Sequence, residues 1–146
     1  MDSKEVLKEY FGYDSFRAGQ EDIINAILEK KDVLAIMPTG AGKSLCYQVP
    51  AMMLSGITVV ISPLISLMQD QVKSLNDVGI NAAYVNSTLS ESEIDGTLNR
   101  VLNGIYKIIY IAPERLESAK FCEFSKQADI SMVTVDEAHC ISQWGQ

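Results

Sequence analysis

The chain has 146 residues, 47% apolar and 21% charged, and its 19 acidic against 12 basic residues give a formal charge of −7. These proportions suit one globular domain and exclude disordered, collagen-like and disulfide-stapled classes. The acidic balance counts against tight autonomous binding of DNA or RNA, because neutralising phosphates takes Lys and Arg.

In chain order, Ser3 is expected to N-cap a short helix running through Phe11, with Val6, Leu7, Tyr10 and Phe11 on one side. A loop with Gly12 and Tyr13 leads to a second helix over about 18–30, with Ile23, Ile24, Ile27 and Leu28 facing inward. VLAIM (33–37) has the length of a buried strand. A glycine-rich turn follows, then a helix from near Lys43 that Pro50 is expected to kink or interrupt. ITVVIS (57–62) is β-branched and reads as a strand. Residues 64–78 have helical spacing, with Gly79 as the stop. AAYVN (82–86) is a further strand. Ser90 with Glu93 is a capping-box signature for a helix to about Asn103, stopped by Gly104. KIIYIA (107–112) and MVTVD (132–136) are strands with a helix between them. Short apolar strands alternating with helices predict an α/β fold, a mostly parallel sheet with helices on both faces. Ligands of such sheets sit at the carboxyl ends of the strands.

Cys46, Cys122 and Cys140 form no CxxC pair, and with His139 as the single histidine there is no zinc-ligand set, so reduced thiols are expected. The polar, mixed-charge start is unlike a signal peptide. Residues 44–69 carry no charge, but Pro50, Gly56 and Pro63 interrupt them, which reads as buried core and not as a membrane span.

MPTGAGKS (37–44) follows a predicted strand and opens a predicted helix. Gly40 and Gly42 let backbone amides turn toward an anion, Lys43 supplies a charge for the outer phosphates, and the Ser44 hydroxyl suits magnesium. Met37 stands where the common phosphate-loop pattern has its first glycine. Downstream, MVTVDEAH ends an apolar strand in two carboxylates. Asp136 is placed to hold magnesium through a water and Glu137 to position or deprotonate the attacking water. A phosphate loop after an early strand, then an acidic pair after a later one, is the layout of a nucleoside triphosphatase.

At these residues the chain resembles the superfamily 2 helicases, and within them the RecQ family. FGYDSFRAGQ (11–20) is similar to that family's adenine-binding motif and MPTGAGKS to its phosphate loop, with Ala41 where Gly is common. SPLISLMQDQV (62–72), NST (86–88) and YIAPERL (110–116) resemble further motifs of the first lobe, and DEAHCISQWG (136–145) is the most distinctive match. The resemblance implies a RecA-like lobe that binds ATP and magnesium. Tyr13, Arg17 and Gln20 would meet adenine, and Thr39, Gly40, Ala41, Gly42, Lys43 and Ser44 the phosphates. Ser44 and Asp136 would hold the metal, and Lys43, Asp136 and Glu137 would carry the chemistry. Ser62, Pro63, Ser66, Asn86, Pro113, Glu114, Arg115, Gln143 and Trp144 would contact single-stranded or forked DNA or couple it to hydrolysis. Without the resemblance, Tyr13 reads as a loop aromatic, Arg17 as a surface charge and Gln20 as a helix-start residue.

The function implied is an ATP-dependent 3′-to-5′ DNA helicase acting in repair and recombination in the cytoplasm, at the nucleoid. The 146 residues correspond to an amino-terminal part of the first lobe, ending before the strand that follows DEAH. Residues 33–37 and 132–136 would then flank an empty slot. Those unpaired strand edges imply that the chain alone is marginally stable and self-associating, and because a second lobe supplies such enzymes with an arginine finger, the chain alone is expected to be inactive. The alternative reading is a non-catalytic ATP-binding or interaction module. A small phosphate-loop kinase would need lid arginines, and Arg17, Arg100 and Arg115 are scattered; a GTPase would need an Asn-Lys-x-Asp motif, which is absent.

Overall fold

The computed structural model describes residues 2–17, 19–29 and 45–135. They fall into two compact units, one within residues 1–55 and one beginning at Gly56. The expected strand at 33–37 and the start of the helix near Lys43 lie outside the described residues.

In the first unit, α1 (Ser3–Phe11), α2 (Gln20–Leu28) and α3 (Leu45–Met53) pack around Val6, Leu7, Ile24 and Val49, with Phe16 and Leu28 at the margin. The cap of α1 differs from expectation. Asp2 is the N-cap, its carboxylate accepting from the Glu5 N–H at 2.8 Å, and Ser3 is the first helical residue, buried at 8% exposure. The carboxylate also suits the positive end of the helix dipole. Pro50 does not interrupt α3, which continues to Met53. The ring removes one donor, but residues 46–51 are all buried, and tertiary packing outweighs the local cost.

The second unit is a four-stranded sheet in the order β2-β3-β1-β4, with every pair parallel: β1 (Ile57–Ile61), β2 (Ala82–Val85), β3 (Ile108–Ile111) and β4 (Ile130–Val135). β4 starts two residues before the predicted 132, because Ile130 pairs with Ile57 ahead of a register shift. Helices α4 (Ile65–Asp77), α5 (Glu91–Leu102) and α6 (Ala119–Gln127) form the connections. The capping box at α5 forms as expected, Ser90 Oγ accepting from the Glu93 N–H and Glu93 Oε1 from the Ser90 N–H. A 3-10 turn over Pro113–Arg115, which periodicity did not reveal, follows β3.

Alternation along the strands divides the core. Val59, Ile61, Val85, Ile109 and Ile111 pack with Ile94, Leu98 and Val101 of α5 and Phe124 of α6. Thr58, Val60, Ile108 and Tyr110 point to the other face and are also buried. β3 is buried over all four residues, each of its isoleucines contributing roughly 1.5–3 kcal/mol. On β4, Val133 and Val135 are exposed.

At the amino edge of the sheet the backbone is tightly tied. The Gly56 N–H donates to Ser131 Oγ at 2.8 Å, the Gly56 carbonyl accepts from Lys107 Nζ at 3.0 Å, and the Ile57 N–H donates to the Asp129 carbonyl at 2.8 Å. Burial pushes the Lys107 amine below its usual range, with Asp129 acting in the opposite direction. A Cβ at position 56 would collide with the Asp129 carbonyl oxygen and Ser131 Oγ. Backbone oxygen cannot swing away as a long side chain can. Gly56→Ala is therefore expected to lower stability by about 1–3 kcal/mol in urea denaturation; an unchanged midpoint would show that the edge gives way freely.

Candidate functional site

The segment that carries Tyr13, Arg17 and Gln20 is built by two helix ends of the first unit. Gly12, at φ +76°, closes α1 in the left-handed region that glycine favours. Its N–H donates to the Lys8 carbonyl and the Tyr13 N–H to the Leu7 carbonyl, the pairing that ends helices at a glycine. Tyr13 thereby leaves the helix at a fixed point with its ring 53% exposed. Arg17 is exposed as well, whereas Gln20 is buried at 2%. Gln20 Oε1 accepts from the Arg17 N–H at 2.7 Å and the Gln20 N–H donates to the Arg17 carbonyl at 3.1 Å. This reciprocal pair locks the loop to the first turn of α2. It also fixes which way round the carboxamide lies, since only its oxygen can accept. The resemblance assigns Gln20 to adenine; the structure gives part of its accepting capacity to the backbone.

The second unit gathers the other motifs. Ile61 pairs with Ile111, and Ile111 with Val85, so β1, β3 and β2 end in one row. Ser62, Ala112 and Asn86 come next in the chain, tied by Ser62 N–H to the Ile111 carbonyl at 3.1 Å and Ala112 N–H to the Val85 carbonyl at 3.0 Å. Val135, in register with Ile61, brings β4 to the same edge, and Asp136 follows it in sequence. Parallel pairing thus places three distant motif segments side by side, where open α/β sheets bind ligands.

Their side chains differ in availability. Ser62 is buried at 1%, its Oγ accepting from the Leu64 N–H at 3.4 Å, while Pro63 is half-buried and Ser66 exposed on the first turn of α4. Asn86 is fully buried. Its Oδ1 accepts from the Thr88 N–H at 2.8 Å and from Thr88 Oγ1, and its Nδ2 donates to Met68 Sδ at 3.3 Å. Pro113, Glu114 and Arg115 form the 3-10 turn, with Glu114 exposed and Arg115 half-buried.

Sequence reasoning missed the charges around Arg115. Glu91 lies 3.7 Å from its guanidinium and 2.6 Å from Lys120 Nζ, and Lys120 also reaches Asp95 at 3.0 Å. The hydrogen bond from Lys120 holds the Glu91 carboxyl below its usual range, and the same bond raises the Lys120 amine. These partners are 24 and 29 positions apart from Glu91, a distance at which no helical spacing rule operates. Arg115 Nε is buried with no hydrogen-bond partner among the described residues. Beside it Val85, Ile94, Leu98, Ser118 and Phe121 border a cleft of about 140 Å³, well below the ~300–1,000 Å³ of a nucleotide-sized pocket.

Thr39, Gly40, Ala41, Gly42, Lys43, Ser44, Asp136, Glu137, Gln143 and Trp144 lie outside the described residues. Among the described residues no group of His, Cys, Asp and Glu side chains could hold a metal, and no helix is long and apolar enough to cross a membrane.

Residues 17–146 match the family model of the DEAD/DEAH box helicases. An ATP-dependent DNA helicase RecQ of Bacillus subtilis is 54% identical over 144 residues, taking in 98% of this chain and 24% of the relative. That of Pasteurella multocida is 50% identical over 141 residues, 97% of this chain and 22% of the relative. The chain spans about a quarter of the length of these relatives. A crystal structure of the DUF1998 helicase MrfA bound to DNA and AMPPNP has a TM-score of 0.75 at 19% identity, over 95% of this chain and 21% of that one. A hypothetical ATP-dependent RNA helicase from Sulfolobus tokodaii gives 0.74 at 23% identity, over 98% of this chain and 43% of that one. Identities this low establish the fold alone, that of a RecA-like helicase lobe.

The reciprocal lock at Gln20 has a measurable consequence. Gln20→Ala leaves the Arg17 N–H without its side-chain acceptor and is expected to cost about 1–2 kcal/mol in urea denaturation. Wild-type stability in this variant would show that the amide does not hold the loop.

Proposed function

The chain belongs to the DEAD/DEAH box helicase family, and on that premise we propose that it forms the nucleotide-binding part of an ATP-dependent, 3′-to-5′ DNA helicase of RecQ type, acting on single-stranded or forked DNA during repair and recombination in the cytoplasm, at the nucleoid. The observation that carries the proposal is the common edge reached by β1, β2, β3 and β4. Segments separated by tens of residues converge there, and each resembles a helicase motif.

In this reading Tyr13 stacks on adenine, with Arg17 beside it and Gln20 at the edge of the base. Lys43 neutralises the outer phosphates, and amides of residues 39–44 cradle them. Ser44 and Asp136 offer hard oxygen donors, the chemistry that suits magnesium, which when bound screens phosphate charge. Glu137 holds or deprotonates the attacking water. Ser66 and the turns after β2 and β3 face the polynucleotide backbone. Gln143 and Trp144 couple DNA contact to hydrolysis, since a base stacks on an indole regardless of sequence. The second lobe and its arginine belong to the rest of such an enzyme.

Two substitutions in the full-length protein test this. Lys43→Ala removes a charge-assisted phosphate contact contributing ~1.5–3 kcal/mol, so calorimetry is expected to show ATP affinity reduced about tenfold or more. Equal affinity would remove the phosphate-loop assignment. Glu137→Gln is expected to bind ATP as the wild type does while steady-state turnover drops on the order of 10²–10⁴-fold. Turnover within a few-fold of wild type would take the base role away from Glu137.

A further inference from the structure

Asn86 is an expensive choice for its position. It follows β2 with no exposed surface, and burying an amide without full hydrogen bonding costs roughly 1–3 kcal/mol. An aliphatic residue would fill the same space without that cost. Its bonds are directed at particular targets. Oδ1 takes both Thr88 donors and the Asn86 carbonyl takes the Leu89 N–H at 3.2 Å, closing the turn that leads to the Ser90 cap of α5. Nδ2 donates to the thioether of Met68, a weak acceptor that adds little to stability. Met68 is fully buried on α4, the helix that exposes Ser66 on its first turn.

The side chain of Asn86 therefore joins two motif segments that have no covalent link nearby. One is the turn at 86–89, which exposes Ser87 and Thr88; the other is the start of α4. Both lie at the edge where β1 and β2 end. Hydroxyls on such a strip donate to phosphodiester oxygens, and their value depends on spacing.

We infer that Asn86 is a positioning residue: through Met68 it sets the turn at 86–89 against the start of α4, so that the Ser66 and Ser87 hydroxyls match one stretch of polynucleotide backbone, while the Thr88 hydroxyl is spent on Asn86 itself. This rests on the helicase reading and adds the residue pair that holds its DNA-facing strip. Asn86 acts from beneath that strip and does not touch the nucleic acid.

Met68→Leu separates the roles. It conserves volume and keeps the core apolar, but it removes the sulfur acceptor. Leu75→Met is the matched control, a similar exchange on the buried face of the same helix that leaves Asn86 its partners. In the full-length protein, oligothymidine-stimulated ATP hydrolysis is measured alongside DNA-free ATP affinity. Met68→Leu is expected to raise the oligothymidine concentration for half-maximal stimulation about fivefold. Its maximal rate and DNA-free ATP affinity stay at wild-type values, and Leu75→Met changes none of the three. The shift should persist at high salt, because neutral hydroxyls release no counterions. No shift in Met68→Leu, equal shifts in both variants, a shift that vanishes with salt, or a parallel loss of ATP affinity each overturns the inference. A wild-type protein that oligothymidine does not stimulate fails the helicase reading itself, and the inference with it.

Discussion

The parallel pairing of β3 with β2 on one side and β1 on the other is the constraint on which the second unit depends. All four residues of β3 are buried, and their register sets where the neighbouring strands end. In an antiparallel sheet successive loops alternate between edges. Here every strand delivers its following loop to the same edge. The backbone bonds from Ser62 and Ala112 extend that register past the last strand residues, so the loops begin from fixed points. Slipping β3 by one residue would exchange the side chains that meet each face of the core and displace Ala112 from Ser62 and Asn86 together.

A second theme is the use of buried amides as scaffolding. Gln20 and Asn86 lie in different units, yet each turns a carboxamide oxygen toward a backbone N–H within three residues along the chain. Each makes a loop between elements as definite as the elements themselves. Side chains that a motif match assigns to ligand contact thus spend bonding capacity on holding the loop. Tyr13 and Ser87, which such loops expose, are the ones placed to reach outward.

Charge is handled in the same local way. Arg115 and Lys120 both lean on Glu91, and Asp95 adds a further carboxylate to Lys120. These cations are balanced within the domain, in keeping with a chain of formal charge −7. A contact surface built here has to work through hydroxyls, amides and exact spacing more than through a dense field of positive charge.

The alternation of strands and helices, the capping box at Ser90 and Glu93, the stop after α4 and the family motifs were legible in the residues alone. Each is a short-range pattern whose physical cause lies within a few residues: period-two or helical spacing, a reciprocal cap, a glycine after the last turn. The Asp2 cap was within the same reach, but Asp and Ser stand side by side and both cap well, so composition could not choose between them. The strand order, the start of β4 at Ile130 opposite Ile57, and the persistence of α3 beyond Pro50 came from long-range packing. It alone also placed Met68 under Asn86 and Glu91 between Arg115 and Lys120. Those outcomes depend on which surfaces meet after the chain has folded, and contacts between residues 18 to 73 positions apart leave no local periodicity from which they could be read.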